Sequence, residues 1–330
     1  MEKPFVYITR KLPEEAIQLL KEKYVIDMWE KEDIPVPRDV LIQKAKQADA
    51  LLTVLTERVD EEVFSVAKRL KVVANMAVGF DNIDVEAANR YGVAVCNTPD
   101  VLTASTADLA FALLLAVSRR IVEADHFVKS GGWKGWAPFL LAGADVHHKT
   151  IGIVGMGKIG EEVAKRALGF EMTVLYHNRS RKPEAEKQLG AIYCKTLHEL
   201  LERSDFVVCL TPLTPETKGM FSREEFRKMK KHAIFVNIGR GPVIDEKALY
   251  EALKEGEIKG AGLDVFEKEP IDADHPLLSL DQFVGLPHIG SATKETRCGM
   301  IRLCCKNIHA VLQNEDPPYL VNREWLEKKG

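Results

Sequence analysis

No apolar run in this chain approaches the roughly 20 residues that a membrane-spanning helix needs. Charge of one sign is missing too. Lys and Arg number 46 against 49 Asp and Glu, and the resulting −3 gives no reason to expect nucleic acid or an acidic membrane as partner. Cysteine is sparse: Cys96, Cys194, Cys209, Cys298, Cys304 and Cys305 have no C-x-x-C spacing, and neighbours Cys304 and Cys305 suit neither an ordinary disulfide nor a shared metal. They read as reduced, mostly buried thiols of a cytoplasmic protein. His147-His148 precedes a strand with no ligands to partner it, so no metal site is expected. The N-terminal MEKPFVYITR enters a strand at once and leaves no room for a signal peptide. What is present is a globular composition, 46% hydrophobic and 29% charged, over 330 residues, enough for two domains with cores of their own.

Strand and helix patterns alternate from the start. Strands are expected at 5–9, 24–28, 50–55, 71–76 and 93–96, with helices at 13–23, 38–47, 60–67 and 85–91, the last stopped by Gly92. Such alternation implies a parallel sheet with helices on both faces. Asn97-Thr98-Pro99-Asp100 punctuates the series. A long helix over 103–129 and an aperiodic arm over 130–149, carrying Trp133 and Trp136, follow; their apolar content suits a subunit contact and predicts a homodimer.

The apolar run Ile151–Val154 then breaks into Gly155-Met156-Gly157-Lys158-Ile159-Gly160 and a helical pattern from Glu161. This is G-x-G-x-x-G with a strand before it and a helix after it, a dinucleotide-binding context. Gly155 permits the tight turn, Gly157 lets backbone approach a pyrophosphate, and Gly160 lets helix pack close on strand. The helix start offers N–H groups and a positive dipole end to phosphate. Further strands are expected at 172–177, 206–210, 233–238, 260–265 and 282–286. Thr196-Leu197-His198-Glu199 and Ser222-Arg223-Glu224-Glu225 read as capping boxes, and 246–255 as a helix stopped by Gly256. A final helix of about 20 residues runs to Asn314, closed by Pro317-Pro318, and would return the chain to the first domain.

In doubly wound sheets ligands bind beyond the carboxyl ends of strands. Arg240, Glu269 and His288 each follow a predicted strand there. Arginine is the forked, permanently charged partner for a carboxylate. Histidine can pass a proton near neutrality, and a neighbouring carboxylate stabilises the imidazolium. Singly each reads as an ordinary surface Arg, loop Glu and core His; their recurrence at three successive strand ends points to chemistry.

The glycine motif, NIGRG at 237–241, GLDVFEKEP at 262–270, PHIGSAT at 287–293, NMAVGFDNID at 75–84 and NTPDVLTASTADLA at 97–110 together resemble the D-2-hydroxyacid dehydrogenase family over almost the whole chain. Within it the nearest likeness is to the glyoxylate/hydroxypyruvate reductases. The resemblance implies an α/β protein of two doubly wound parallel-sheet domains with a cleft between. These are a flavodoxin-like substrate domain, 1–99 with 291–330, and an inserted Rossmann cofactor domain, 100–290. It implies hydride transfer to the C2 carbonyl of a 2-oxo acid. His288 would be the proton donor, supported by Glu269, and Arg240 would hold the carboxylate with help from N–H groups at Val78 and Gly79. It places Thr106, Lys158, Ile159, Pro212, Thr217, Ile238, Gly239, Asp264 and Gly290 with the glycines at the cofactor, Thr106 and Asp264 at its nicotinamide end. Leu55, and Trp136 from a second subunit, would narrow the pocket toward glyoxylate and hydroxypyruvate.

After the second strand of the glycine unit an NAD-preferring site usually presents an acid. This chain has Arg179-Ser180-Arg181, which can bind a 2′-phosphate, so NADPH is preferred and NAD possible. Alternatives are another dehydrogenase of the family, such as one for 3-phosphoglycerate, and a non-enzymatic NAD(H)-sensing corepressor. No extra basic cluster in 76–81 invites a phosphorylated substrate.

Overall fold

The computed structural model describes residues 3–327. It divides into two compact units, one taking the chain up to Leu102 and again from Ala292, the other Thr103–Ser291.

In the first unit, among the described residues, β1 (Phe5–Ile8), β2 (Val25–Met28), β3 (Ala50–Thr53), β4 (Val72–Asn75) and β5 (Ala94–Cys96) form a parallel sheet in the order β2-β1-β3-β4-β5. That is a flavodoxin-like order, with its switch between β1 and β3. β3 and β4 are buried throughout, as befits near-continuous apolar runs covered on both faces. Tyr7, Leu51, Phe64 and Val73 pack one layer, and helix Lys294–Leu312 lies on β3, β4 and β5. The C-terminal segment is stitched to β5: Asn322 accepts from Val95 N–H and donates to the Val93 carbonyl.

In the second unit β6 (Thr150–Val154), β7 (Thr173–His177), β8 (Ile192–Tyr193), β9 (Phe206–Cys209), β10 (Ile234–Asn237), β11 (Gly260–Leu263) and β12 (Phe283–Gly285) pair in parallel. Their order is β12-β11-β10-β9-β6-β7-β8, the Rossmann order extended by one strand, with its switch between β6 and β9. Alternating side chains feed two cores. Ile234 and Val236 join Ile151, Ile153 and Leu114 on one face, while Phe235 joins Phe221 and Phe226 on the other. At about 1.5–3 kcal/mol for each large apolar side chain buried, these layers supply the main stabilisation of the unit.

Three local expectations are corrected. The helix expected over 103–129 breaks into Thr103–Ser118 and Ile121–Lys129, with Arg120 left-handed at φ 53°. The Ser118 carbonyl accepts from Ala144 N–H at 2.8 Å in place of a helical donor, and the Ser118 hydroxyl donates back to Leu114. Gly143 makes this return possible, since a Cβ there would stand 2.2 Å from the Ser118 oxygen. Of the two capping boxes, Ser222–Glu225 is reciprocal, whereas Glu199 reaches past its cap to the Lys195 N–H. The helix expected over 13–23 is a 3₁₀ turn, Glu14–Ala16, then an α-helix, Gln18–Lys23, after Ile17 leaves helical geometry at φ −103° and ψ 12°.

All six cysteines are buried and unpaired. His147 and His148 pack edge to face, 4.9 Å between ring centres.

Candidate active site

Turns that follow β10, β11 and β12 bring Arg240, Glu269 and Asp264, and His288 to one end of the second unit's sheet. The turn after β10 is clamped by its own strand. Asn237 accepts from Gly239 N–H at 2.9 Å and donates to the Arg240 carbonyl at 3.0 Å, while Arg240 Nη1 returns to the Gly239 carbonyl. Past β11, the buried Asp264 grips the third turn: Oδ1 accepts from Ile289 N–H and Oδ2 from Gly290 N–H, both at 2.8 Å. His288 N–H donates to the Asp264 carbonyl at 2.9 Å. These bonds hold His288 at φ 54°, a left-handed conformation that costs a non-glycine residue about 1–2 kcal/mol.

His288 Nδ1 lies 2.8 Å from Glu269 Oε2, with the side chains 29% and 37% exposed. Glu269 Oε1 accepts from Phe266 N–H at 3.0 Å. Burial opposes charge on Glu269, but the His288 bond and charge, the Phe266 N–H and the Arg240 field outweigh it and hold the carboxyl below its ordinary value. An ionised carboxylate only accepts, so the proton of this pair sits on Nδ1. Burial acts on Asp264 in the opposite sense and raises its value, despite the two N–H donors and His288.

The glycine turn has the geometry its spacing asks for. Gly155 is at φ 102°, and a Cβ on Gly160 would stand 2.5 Å from the Gly155 oxygen. Gly157 caps helix Lys158–Gly169 without a side chain, and a Cβ there would meet nothing within 4 Å. Its open cradle at a helix start fits a pyrophosphate. At the other end Thr106, Ile238 and Asp264 surround Gly290, at 3.3, 3.6 and 3.3 Å from the place of its Cβ, and a Cβ on Gly239 would stand 2.7 Å from the Thr211 oxygen. Gly239 and Gly290 thus let these turns pack closely on one another at the carboxyl end of the sheet. Pro212 and Thr217 close a turn after β9, the Thr217 hydroxyl donating to the Pro212 carbonyl at 2.6 Å.

Beyond β7, Arg179 and Ser180 are exposed. Arg181 is engaged: Nε and Nη2 each reach Glu186 at 2.7 Å, and Tyr176 OH donates to the same carboxylate at 2.6 Å. Those partners hold the Glu186 carboxyl down to about 2. Arg179 lies in the next turn's field, where it helps lower Glu216.

The remaining expected residues lie elsewhere. Leu55, Val78 and Gly79 occupy turns after β3 and β4 of the first unit, half-buried. Asn97 and Asn75 donate to the carbonyls of Val78 and Gly79, at 2.9 and 3.0 Å; neither residue's own N–H donates to any described residue. Trp136 is 82% exposed in the arm and joins neither group.

Sequence reasoning missed the Arg181–Glu186 pairing, along with helix Pro183–Leu189 and β8. A two-residue strand shows no period, though Pro183 at a helix start and Gly190 at its end were visible signals.

Residues 111–290 match the family described as D-isomer specific 2-hydroxyacid dehydrogenase, NAD binding domain. A glyoxylate reductase of Thermococcus kodakarensis is 55% identical over 98% of this chain and 98% of its own. One of Pyrococcus furiosus is 54% identical over 98% and 97%. A solved NADPH-dependent glyoxylate/hydroxypyruvate reductase of Sinorhizobium meliloti, in complex with NADP and malonate, superposes with a TM-score of 0.85 at 30% identity, covering 98% of each chain. The chain belongs to the D-isomer specific 2-hydroxyacid dehydrogenase family and is an oxidoreductase with a nucleotide-binding Rossmann unit.

Proposed function

We propose that the protein reduces small 2-oxo acids, glyoxylate to glycolate and hydroxypyruvate to D-glycerate, with NADPH preferred over NADH. The observation that carries this reading is the 2.8 Å contact between Glu269 and His288 on a turn that Asp264 locks in place. The bound nicotinamide supplies a hydride to the C2 carbonyl carbon. With Nδ1 held by Glu269, His288 presents Nε2 as the proton donor to the oxygen that becomes the hydroxyl. Glu269 stabilises the imidazolium until the proton leaves. Arg240 binds the substrate carboxylate and polarises the carbonyl, with the N–H groups of Val78 and Gly79 as further donors. Leu55 favours a short substrate.

The glycine turn, Lys158 and Ile159 hold the pyrophosphate. Thr106, Ile238, Gly239, Asp264 and Gly290 take the nicotinamide end; Pro212 and Thr217 border the cofactor. Arg179 and Ser180, with Arg181 partly neutralised by Glu186, receive the 2′-phosphate. NADP in the Sinorhizobium meliloti relative and the name of the Thermococcus relative support the two halves of the reading. Trp136 and Phe139, 82% and 86% exposed, suit burial against a second copy, which would make the molecule a homodimer. Six unpaired thiols suit the cytoplasm.

Steady-state oxidation of NADPH and of NADH with glyoxylate, hydroxypyruvate and 3-phosphohydroxypyruvate tests the proposal. The first two substrates turn over with NADPH giving the higher kcat/KM. Turnover of the phosphorylated acid alone, or of none, sinks it, the last result favouring a nucleotide sensor.

A further inference from the structure

Behind Glu269 stands a second carboxylate–imidazole pair. Glu246 opens helix Glu246–Lys254 with a side chain only 10% exposed, and its Oε2 lies 3.3 Å from His275 Nε2. Its Oε1 accepts from Glu267 N–H at 2.7 Å. Glu267 lies two residues before Glu269, on the turn whose Phe266 N–H closes on Glu269 Oε1. This turn has no slack: a Cβ on Gly241 would stand 1.9 Å from the Phe266 carbonyl. His275 Nδ1 is buried without a partner, so the ring spends its Nε2 side on Glu246. Burial raises Glu246 above its ordinary value, against the Glu267 N–H and His275, and the charges of Glu267 and Glu269 raise it further. A buried carboxylate is costly unless it is paired and hydrogen-bonded, and the partners that offset the cost here are His275 and the Glu267 N–H.

We infer that Glu246 is a positioning residue for the reaction, fixing the Glu267 amide and thereby the point at which Glu269 meets His288. Glu246 touches neither Glu269 nor His288 directly, so its influence passes through the backbone of 266–269. The inference rests on the reading of His288 as proton donor.

The test compares Glu246→Ala, Glu246→Gln, Glu269→Ala and the double variant Glu246→Ala/Glu269→Ala. The readouts are kcat with glyoxylate across pH, NADPH binding by fluorescence and Tm. Displacement of a catalytic group by about 1 Å can cost on the order of 100-fold, so Glu246→Ala loses about tenfold or more in kcat while NADPH affinity stays within about twofold. Its alkaline rate limb moves to lower pH, toward that of Glu269→Ala. Gln, whose amide oxygen still accepts from Glu267, restores most of both. The double variant is no slower than Glu269→Ala, because Glu246 works through Glu269. Should Glu246→Ala fail to fold, Glu246→Met, similar in volume and lacking a strong acceptor, carries the same expectations. Multiplying losses in the double variant, or a lowered Tm with an unmoved pH profile, overturn the inference alone. A Glu269→Ala enzyme with wild-type kcat overturns the proton-donor reading and this inference together.

Discussion

Glu269 and His288, 19 residues apart, meet at 2.8 Å because two strand-end turns are each tied to backbone, one through Phe266 and the other through Asp264. The ionised carboxylate accepts the Nδ1 proton, which leaves Nε2 as the ring atom for the proposed proton transfer, made by the doubly protonated ring. Glu269→Gln removes the charge and leaves the shape. Glu269 is held below its ordinary value, so in the native enzyme it is ionised through the neutral range. Without that charge the proton carried by the ring loses its counter-ion. The alkaline limb of kcat/KM therefore shifts to lower pH in Glu269→Gln; an unmoved limb contradicts the pairing.

Arg179 and Arg181 flank Ser180, but only Arg181 is committed to Glu186. Arg179→Ala accordingly costs more selectivity for NADPH over NADH than Arg181→Ala, by about fivefold or more if one charge-assisted contact of about 1 kcal/mol separates them. Competing kcat/KM values measure this directly. Equal losses would show that the Glu186 pairing yields when phosphate binds.

Gly157 and Gly160 should respond differently to alanine. At Gly160 a Cβ meets the Gly155 oxygen at 2.5 Å, so strand or helix must move, at about 1–3 kcal/mol, and Tm falls with NADPH affinity. At Gly157 a Cβ meets no protein atom within 4 Å, so Tm holds while NADPH affinity drops. Calorimetry beside fluorescence titration separates the two; a Gly157→Ala protein that binds NADPH normally refutes the cradle.

Asp205, 13% exposed, accepts from Thr150 N–H at 2.9 Å and from Lys230 and His232 at 2.8 and 2.9 Å. Burial opposes its charge, yet these donors lower its value to about 2. A depressed folded-state value stabilises above the unfolded value near 4 and loses that stability as pH falls toward 2. Asp205→Asn should therefore lose on the order of 2 kcal/mol at pH 7 and about half as much at pH 3. Urea unfolding at the two pH values checks it, and a gap that widens on acidification contradicts the assignment.

That both sheets are parallel was within reach of the sequence, because alternating apolar runs and glycine or proline stops mark parallel α/β units wherever strands are buried on both faces. Their flavodoxin-like and Rossmann character came only with the family resemblance. The positions of Arg240, Glu269 and His288 were equally legible, since each follows such a run. What the sequence hid depends on contacts between distant segments. The break at Arg120 comes from Ala144 reaching Ser118, which no local propensity of the apolar 103–129 stretch encodes. Glu186 and Glu246 each look like ordinary first-turn helix acids, suited to the helix dipole. Only the folded turn shows that one holds an arginine and the other a loop amide.

The central claim, that His288 is the proton donor, is tested most directly by His288→Ala, with kcat for glyoxylate reduction and the NADPH dissociation constant measured on the same preparation. General acid catalysis contributes about 100- to 10,000-fold, so kcat should fall by that order while NADPH affinity stays close to wild type. A variant that keeps its kcat and loses NADPH affinity instead would contradict the account.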